Sequence, residues 1–287
     1  MNESNTAKAT QGSSEQWDDI WKDYSGIAMK KLFTRDTPST IYQFWQRAYF
    51  EDFLKIIGDR TESAFLEMGS GRGTTSLYLA SHGVADITLL DLSDTALMQA
   101  GKNFEHENLP VPKTVLANAE DTKLPENSYD FIYNIGVLEH FEDPGPFLKE
   151  TYRLLRPGGV VFMPIVPQMP YYKSLVCRTF FNPLSIAKQA VKKMIGRQSK
   201  ANDDGMVRTE TGKKEYEQIS SSLGFKDVKC IPYNPYWKIN EDTGIVLNSI
   251  ALPIYKMHYG AKKALGFRPG LKTLDAACCC ELLTASK

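Results

Sequence analysis

The chain has 287 residues, of which 42% are apolar, 24% charged and 11% aromatic, and these globular proportions exclude a mostly disordered, collagen-like or coiled-coil protein. Thirty-four basic residues balance thirty-four acidic ones, so the molecule as a whole is not a polyelectrolyte partner of nucleic acid. No apolar run reaches the ~18 residues that cross a bilayer, the first residues lack an apolar signal core, and five cysteines with three in a row (Cys278, Cys279, Cys280) make no disulfide framework, so a reducing, cytoplasmic setting is expected.

Residues 1–14 are rich in Ser, Thr, Asn and Gln and read as a disordered lead. Trp17, Ile20, Trp21 and Tyr24 recur at helical spacing, which predicts a short amphipathic helix from about Glu15. Ser39 is the expected cap of a second helix carrying Ile41, Phe44, Trp45, Ala48, Tyr49 and Phe53, which stops at Gly58. Short apolar runs at 64–68, 86–91, 113–117, 129–134 and 159–166 then alternate with helical patterns at 75–82, 94–104 and 145–155. Near-continuous apolar runs separated by single helices predict βαβ units and a parallel sheet covered on both faces. A helix at 211–222 and strands at 225–233 and 276–285 resume the rhythm, whereas 167–205 and 234–273 read as insertions.

The run AFLEMGSGRGTTSLYLA is strand, glycine loop and helix. Gly69, Gly71 and Gly73 allow a tight turn and a close backbone approach to a ligand, with free N–H groups at the helix start. A glycine loop by itself is a weak signal, and the spacing sharpens it. A dinucleotide fingerprint would place its third glycine at position 74, which is Thr74; here it is Gly73, and Glu67 stands two residues before Gly69. Asp91 ends the second strand, where a carboxylate can accept both hydroxyls of a ribose. The competing structural role for Asp91 is to cap the following helix, which Ser93 or Asp94 could also do.

This E-x-G-x-G-x-G pattern resembles motif I of the class I S-adenosylmethionine-dependent methyltransferases, and residues 117–163 resemble the downstream half of the methyltransferase-11-like domain. The resemblance covers roughly 62–166 and implies a doubly wound, Rossmann-like α/β fold in three layers. Its seven-stranded sheet would be mostly parallel, with an antiparallel last strand; the helical caps expected in the insertions at 167–205 and 234–273 have no counterpart in the resemblance. It implies a cofactor site of Glu67, Gly69, Ser70, Gly71, Gly73, Thr74, Asp91, Leu92, Asn118, Ala119, Glu120, Asn134 and Ile135. Asn118 stands where the family usually has Asp; its amide oxygen can still accept from an adenine amino group. Residues 155–159 (Leu-Arg-Pro-Gly-Gly) form the expected turn into the fifth strand. The core is expected to comprise 59–166, 206–233 and 274–287, with the N-terminal helices of 15–58 covering the cofactor.

A sulfonium methyl is already an activated electrophile, so alignment and exclusion of water can supply much of the catalysis. A base is needed only if the nucleophile must lose a proton. His140, just after the fourth strand, is the first candidate and Glu139 the second; against them stand packing for the imidazole and a solvated helix face for the carboxylate. No H-E-x-x-H, C-x-x-C or G-x-x-x-x-G-K-[ST] run occurs, so neither a metal nor nucleotide hydrolysis is expected. The three consecutive cysteines read as small core residues, with lipidation the alternative.

Charge is uneven. Residues 171–200 carry seven basic residues and 251–274 five, both without an acid, so the rest of the chain is acidic by the same twelve. An insertion after the fifth strand lies at the rim where ligands bind in this fold. Ile186, Ala187, Ala190, Val191, Met194 and Ile195 share one helical face there, with Lys188, Lys192, Lys193 and Arg197 elsewhere. Three readings stay open: a lid with a solvated face, a pocket for an anionic acceptor, or docking on an anionic membrane to reach a lipid-like acceptor. The function expected is methyl transfer by in-line displacement to a small-molecule or lipid-like acceptor. An RNA or protein methyltransferase and a non-catalytic cofactor-binding protein are the alternatives. The residues after the fourth strand, Asn134, Ile135, Gly136 and Val137, lack the [NDS]-P-P-[YFW] run of base-amino methyltransferases, and the glycine spacing argues against an NAD-dependent oxidoreductase.

Overall fold

The computed structural model describes residues 12–24, 32–166, 211–234, 245–267, 269–272 and 280–287. Helix α1 spans Ser14–Tyr24 and α2 Ile41–Ile57. Then β1 (Phe65–Met68), α3 (Thr74–Ser81), β2 (Ile87–Asp91), α4 (Asp94–His106), β3 (Lys113–Leu116) and β4 (Tyr129–Tyr133) come in turn. A one-turn 3₁₀ helix at Leu138–His140 leads to α5 (Gly145–Leu154) and β5 (Leu155–Ile165). The remaining elements are α6 (Lys213–Ser222), β6 (Lys226–Tyr233), α7 (Ile245–Ala264) and β7 (Cys280–Ser286).

The seven strands form one sheet in the order β3-β2-β1-β4-β5-β7-β6. The first five are parallel, and β7 runs antiparallel between β5 and β6. The strand order reverses between β1 and β4, so the crevice outside their carboxyl ends is the place where a doubly wound sheet binds ligands. The expected fold class is borne out. Strand positions alternate between two cores: Phe65, Phe131, Tyr133 and Phe162 face α2, α3 and α4, while Leu66, Met68, Ile132 and Met163 face α5 and α6.

Phe53 of α2 is fully buried, stacked on Phe162 with centroids 4.8 Å apart and edge-on to Phe65 and Phe131. Such pairs contribute roughly 0.5–1.5 kcal/mol each beyond area burial. Asp52 fastens the other side of the helix. Its carboxylate accepts from the N–H groups of Gly270 and Leu271 at 2.7 and 3.0 Å, from the Tyr233 hydroxyl at 3.1 Å and from Lys55 Nζ at 2.8 Å.

Local details depart from the sequence expectations. Thr40, not Ser39, is the N-cap of α2, in a capping box with Gln43 whose Oε1 also accepts from Ser39. The expected turn at 155–159 is already part of β5: Leu155 pairs with Tyr129, a register shift comes next, and Gly158 and Gly159 bond the backbone of Lys287. The proposed 234–273 insertion contains the twenty-residue α7. Of the three consecutive cysteines, Cys280 is buried in β7 and the other two lie outside the described residues, as does the whole basic segment 171–200.

Candidate active site

The site is built where the carboxyl ends of β1, β2, β3 and β4 meet. After β1 the chain turns through Gly69 and Gly71, both left-handed at φ 74° and 50°. The turn is pinned to β2, because the N–H groups of Gly69 and Ser70 both donate to Leu90 O at 2.7 and 2.9 Å. A Cβ at Gly69 would lie 2.7 Å from Val137 Cγ2, so glycine is what lets the loop after β4 close on the loop after β1. Gly73 then serves as N-cap of α3 without a side-chain cap bond, which leaves the first amides of that helix facing the loop.

Asp91 ends β2 with both oxygens engaged. Oδ2 accepts from Gly71 N–H at 2.8 Å and Oδ1 from Ser93 N–H at 2.9 Å. Ser93, not Asp91, caps α4 by accepting from Ala96 N–H. Burial pushes the Asp91 carboxyl up to about 6 even though the amides of Gly71, Ser93 and Leu92 oppose the shift. Asn118 follows β3 and its side chain accepts from Glu120 N–H at 2.9 Å; Ala119 is buried, and Ala117 N–H donates to Asp91 O at 3.0 Å, tying this loop to β2.

The turn after β4 holds three buried polar side chains. Asn134, Glu139 and His140 are 0%, 1% and 6% exposed. Glu139 Oε1 lies 3.3 Å from where a Cβ on Gly136 would stand, so this carboxylate points back over the loop rather than along a solvated helix face. Ile135 is half-buried beside it.

Glu67 is the candidate residue that the fold does not bring to this ring. Its side chain turns under α3, where the Ser76 hydroxyl donates to Oε2, and Ser76 in turn shares a 2.6 Å hydroxyl bond with Tyr133. Burial raises the Glu67 carboxyl to about 8, so it is protonated at neutral pH.

The sequence reading expected the N-terminal helices over the cofactor without naming which of their side chains meet the ring, and the structure supplies two such groups. Helix α1 lies across the ring. Ser14 Oγ donates to Leu92 O at 2.9 Å, Asp18 Oδ1 accepts from Ser93 Oγ and from Thr95 N–H, and Gln99 Nε2 donates to Trp21 O at 2.8 Å. The Trp21 ring sits against Gly71, 2.6 Å from where a Cβ would be, and Trp17 meets His140 edge-on at 5.2 Å. The helical spacing of the tryptophans was visible, but a one-dimensional pattern does not name the surface that receives them. The second group is Gln46, 8% exposed with Oε1 unpartnered. It shares the sheet-facing side of α2 with Phe53, two turns nearer the site end, and no sequence period distinguishes it from an ordinary polar helix residue.

Residues 66–163 match a family described as a methyltransferase domain. The ubiquinone biosynthesis O-methyltransferase of Parvibaculum lavamentivorans is 25% identical over 190 residues, 65% of this chain and 70% of that protein. The 2-methyl-6-phytyl-1,4-hydroquinone methyltransferase 2 of Oryza sativa is 28% identical over 173 residues, 60% of this chain and 41% of that protein. Among solved structures, the Haemonchus contortus phosphoethanolamine N-methyltransferase 2 with S-adenosyl-L-methionine has a TM-score of 0.55 at 18% identity, over 93% of this chain; this chain spans 60% of that protein. The [4+2]-cyclase SpnF has a TM-score of 0.53 at 14% identity, over 96% of this chain and 92% of that one. Likeness at this level is likeness of fold, and a fold hosts more than one reaction.

With the matched domain laid over the switch point of the sheet, the protein is a class I S-adenosylmethionine-dependent methyltransferase. It is an enzyme, and S-adenosylmethionine is its cofactor. The ring suits that cofactor: it offers a buried carboxylate, the amides of a helix start, and Ser70 Oγ, which is buried without a protein partner. Among the described residues there is no cluster that could hold a metal, and no helix is long and apolar enough to cross a membrane.

Proposed function

We propose that the protein transfers a methyl group to a small acceptor of phenol or quinol type carrying an apolar tail. The observation that carries this reading is the buried turn after β4, where Asn134, Glu139 and His140 stand at the carboxyl end of the sheet beside apolar surface. The names of the ubiquinone and phytyl-hydroquinone relatives support the acceptor class.

In this reading Asp91 accepts from the ribose hydroxyls, the Gly69–Thr74 loop and Ser70 receive the amino-acid end, and Leu92, Asn118, Ala119 and Glu120 flank the adenine. Asn134 and Ile135 border the methyl. Glu67 acts from below, by holding Ser76 of α3. When bound, the cofactor supplies an electrophilic methyl. The chain aligns the acceptor oxygen behind it and excludes water, with α1 and α2 forming the cover over the site. A phenol must lose its proton, and Glu139 or His140 takes it.

The test is turnover with labelled S-adenosylmethionine in detergent micelles against prenylated and unprenylated catechols and hydroquinones, with an RNA pool and a protein extract as competitors. Mass spectrometry should find one added methyl on a tailed phenol or quinol. Label in RNA or protein alone would overturn the acceptor class, and cofactor binding with no product in any pool would favour a non-catalytic role.

A further inference from the structure

We propose that the outer face of α7 docks on an anionic lipid surface. The helix packs its inner side on α2: Leu252 and Tyr259 are buried, Tyr259 meets Phe44 edge-on at 5.7 Å, and Lys263 Nζ bonds Glu51 at 2.7 Å. The side turned away is apolar along its described length. At 100° per residue, Pro253, Ile254, Met257, Gly260, Ala261 and Ala264 fall in one arc, all exposed, and Leu265 and Phe267 continue it beyond the last turn.

The magnitudes set this face apart. Ile254, Met257, Leu265 and Phe267 are 51%, 71%, 77% and 46% exposed, and they are four of the seven exposed large apolar side chains among the described residues. A surface helix ordinarily shows charge on its outer side, so a continuous apolar arc there marks an interaction surface.

Charge complementarity selects the occupant. Lys256 and Lys263 border the arc on one side, exposed Lys272 lies beyond its end, and residues 251–274 contain no acid. An apolar arc edged by cations and lacking carboxylates fits the boundary between anionic headgroups and acyl chains. Lys263 is already paired with Glu51, so Lys256 and Lys272 are the cations that meet the headgroups, and a second copy of this acid-free segment would bring them no opposite charge. A helix lying in that plane would also bring the enzyme to where a tailed acceptor partitions. The inference rests on the acceptor reading only for that purpose, since vesicle binding is measured without turnover.

The experiment uses the full chain and sedimentation with phosphatidylcholine vesicles, with and without about one third phosphatidylglycerol. Wild type should bind the anionic vesicles and release with added salt. Met257→Glu with Leu265→Glu should lower partitioning roughly tenfold or more, and Lys256→Gln with Lys272→Gln should lower it severalfold, most at low salt. Both variants should keep the wild-type thermal midpoint and S-adenosylhomocysteine affinity, because the altered side chains are away from the core and the cofactor ring. Vesicle binding unchanged in both variants, or absent in wild type, would overturn the proposal. So would light scattering that shows a wild-type dimer dissociated by Met257→Glu, which would assign the face to a second copy. A methylated product in micelles without vesicle binding would sink this inference and leave the proposed function standing.

Discussion

The amide of Gly71 donates to Asp91 Oδ2 at 2.8 Å, which joins the loop after β1 directly to the last residue of β2. The same bond shapes the loop and aims a buried carboxylate. Because burial raises Asp91 to about 6, while hydroxyl donors from a ribose favour the ionised form, cofactor binding and proton release are linked. S-adenosylhomocysteine affinity, measured by calorimetry, should be flat above pH 7 and fall as pH drops through 6. Asp91→Asn should weaken binding at pH 7.5 by about 1–3 kcal/mol and remove the acid limb. An unchanged acid limb in the Asn variant would assign the titration to another group.

Glu67 titrates with consequences for stability. Its folded value of about 8 lies above the ordinary 4.5, so the folded state holds a proton that the unfolded chain releases between those values. Its contribution is fully present below 4.5 and is lost as pH rises through 8. Glu67→Gln keeps a neutral hydrogen-bonding partner for Ser76. The variant should match wild type near pH 4 and exceed it by a growing margin from pH 5 to pH 9 in urea midpoint; a larger loss for Gln at high pH would mean that the ionised form is the one the fold favours.

Trp21 covers Gly71. Trp21→Ala removes apolar cover of the order of 1–2 kcal/mol from the cofactor mouth, so S-adenosylhomocysteine should dissociate about tenfold faster in stopped flow. The thermal midpoint should change little, since the ring is only half-buried. An unchanged dissociation rate would show that α1 does not gate the site.

Glu139 and His140 separate by kinetics. Replacing the proton acceptor, Glu139→Gln or His140→Ala, should lower kcat by ~10²–10⁴ with S-adenosylhomocysteine affinity nearly unchanged, and raising pH should partly restore the rate. The other substitution should cost much less. An equal loss of cofactor binding would place the residue in the cofactor pocket, and no loss in either variant would make the turn a packing element.

Much of the architecture is local in origin and was therefore legible in one dimension. Apolar runs of strand length, helical periods between them and glycines at 69, 71 and 73 dictate strand, turn and helix through short-range sterics, and they put Asp91 at a strand end. The methyltransferase class and its cofactor came from the family resemblance that Glu67, the glycines and residues 117–163 carry. Tertiary structure decided what those residues meet. Thr40 took the cap expected of Ser39 because Gln43 reaches back to it, and Glu67 went beneath α3 because strand parity puts it on the face shared with Phe65. The contacts of α1 with 92, 93, 95 and 99 cross nearly eighty residues of chain. The apolar outer face of α7 is invisible until α2 claims the opposite side, since periodicity marks an apolar stripe but only packing says which stripe is covered.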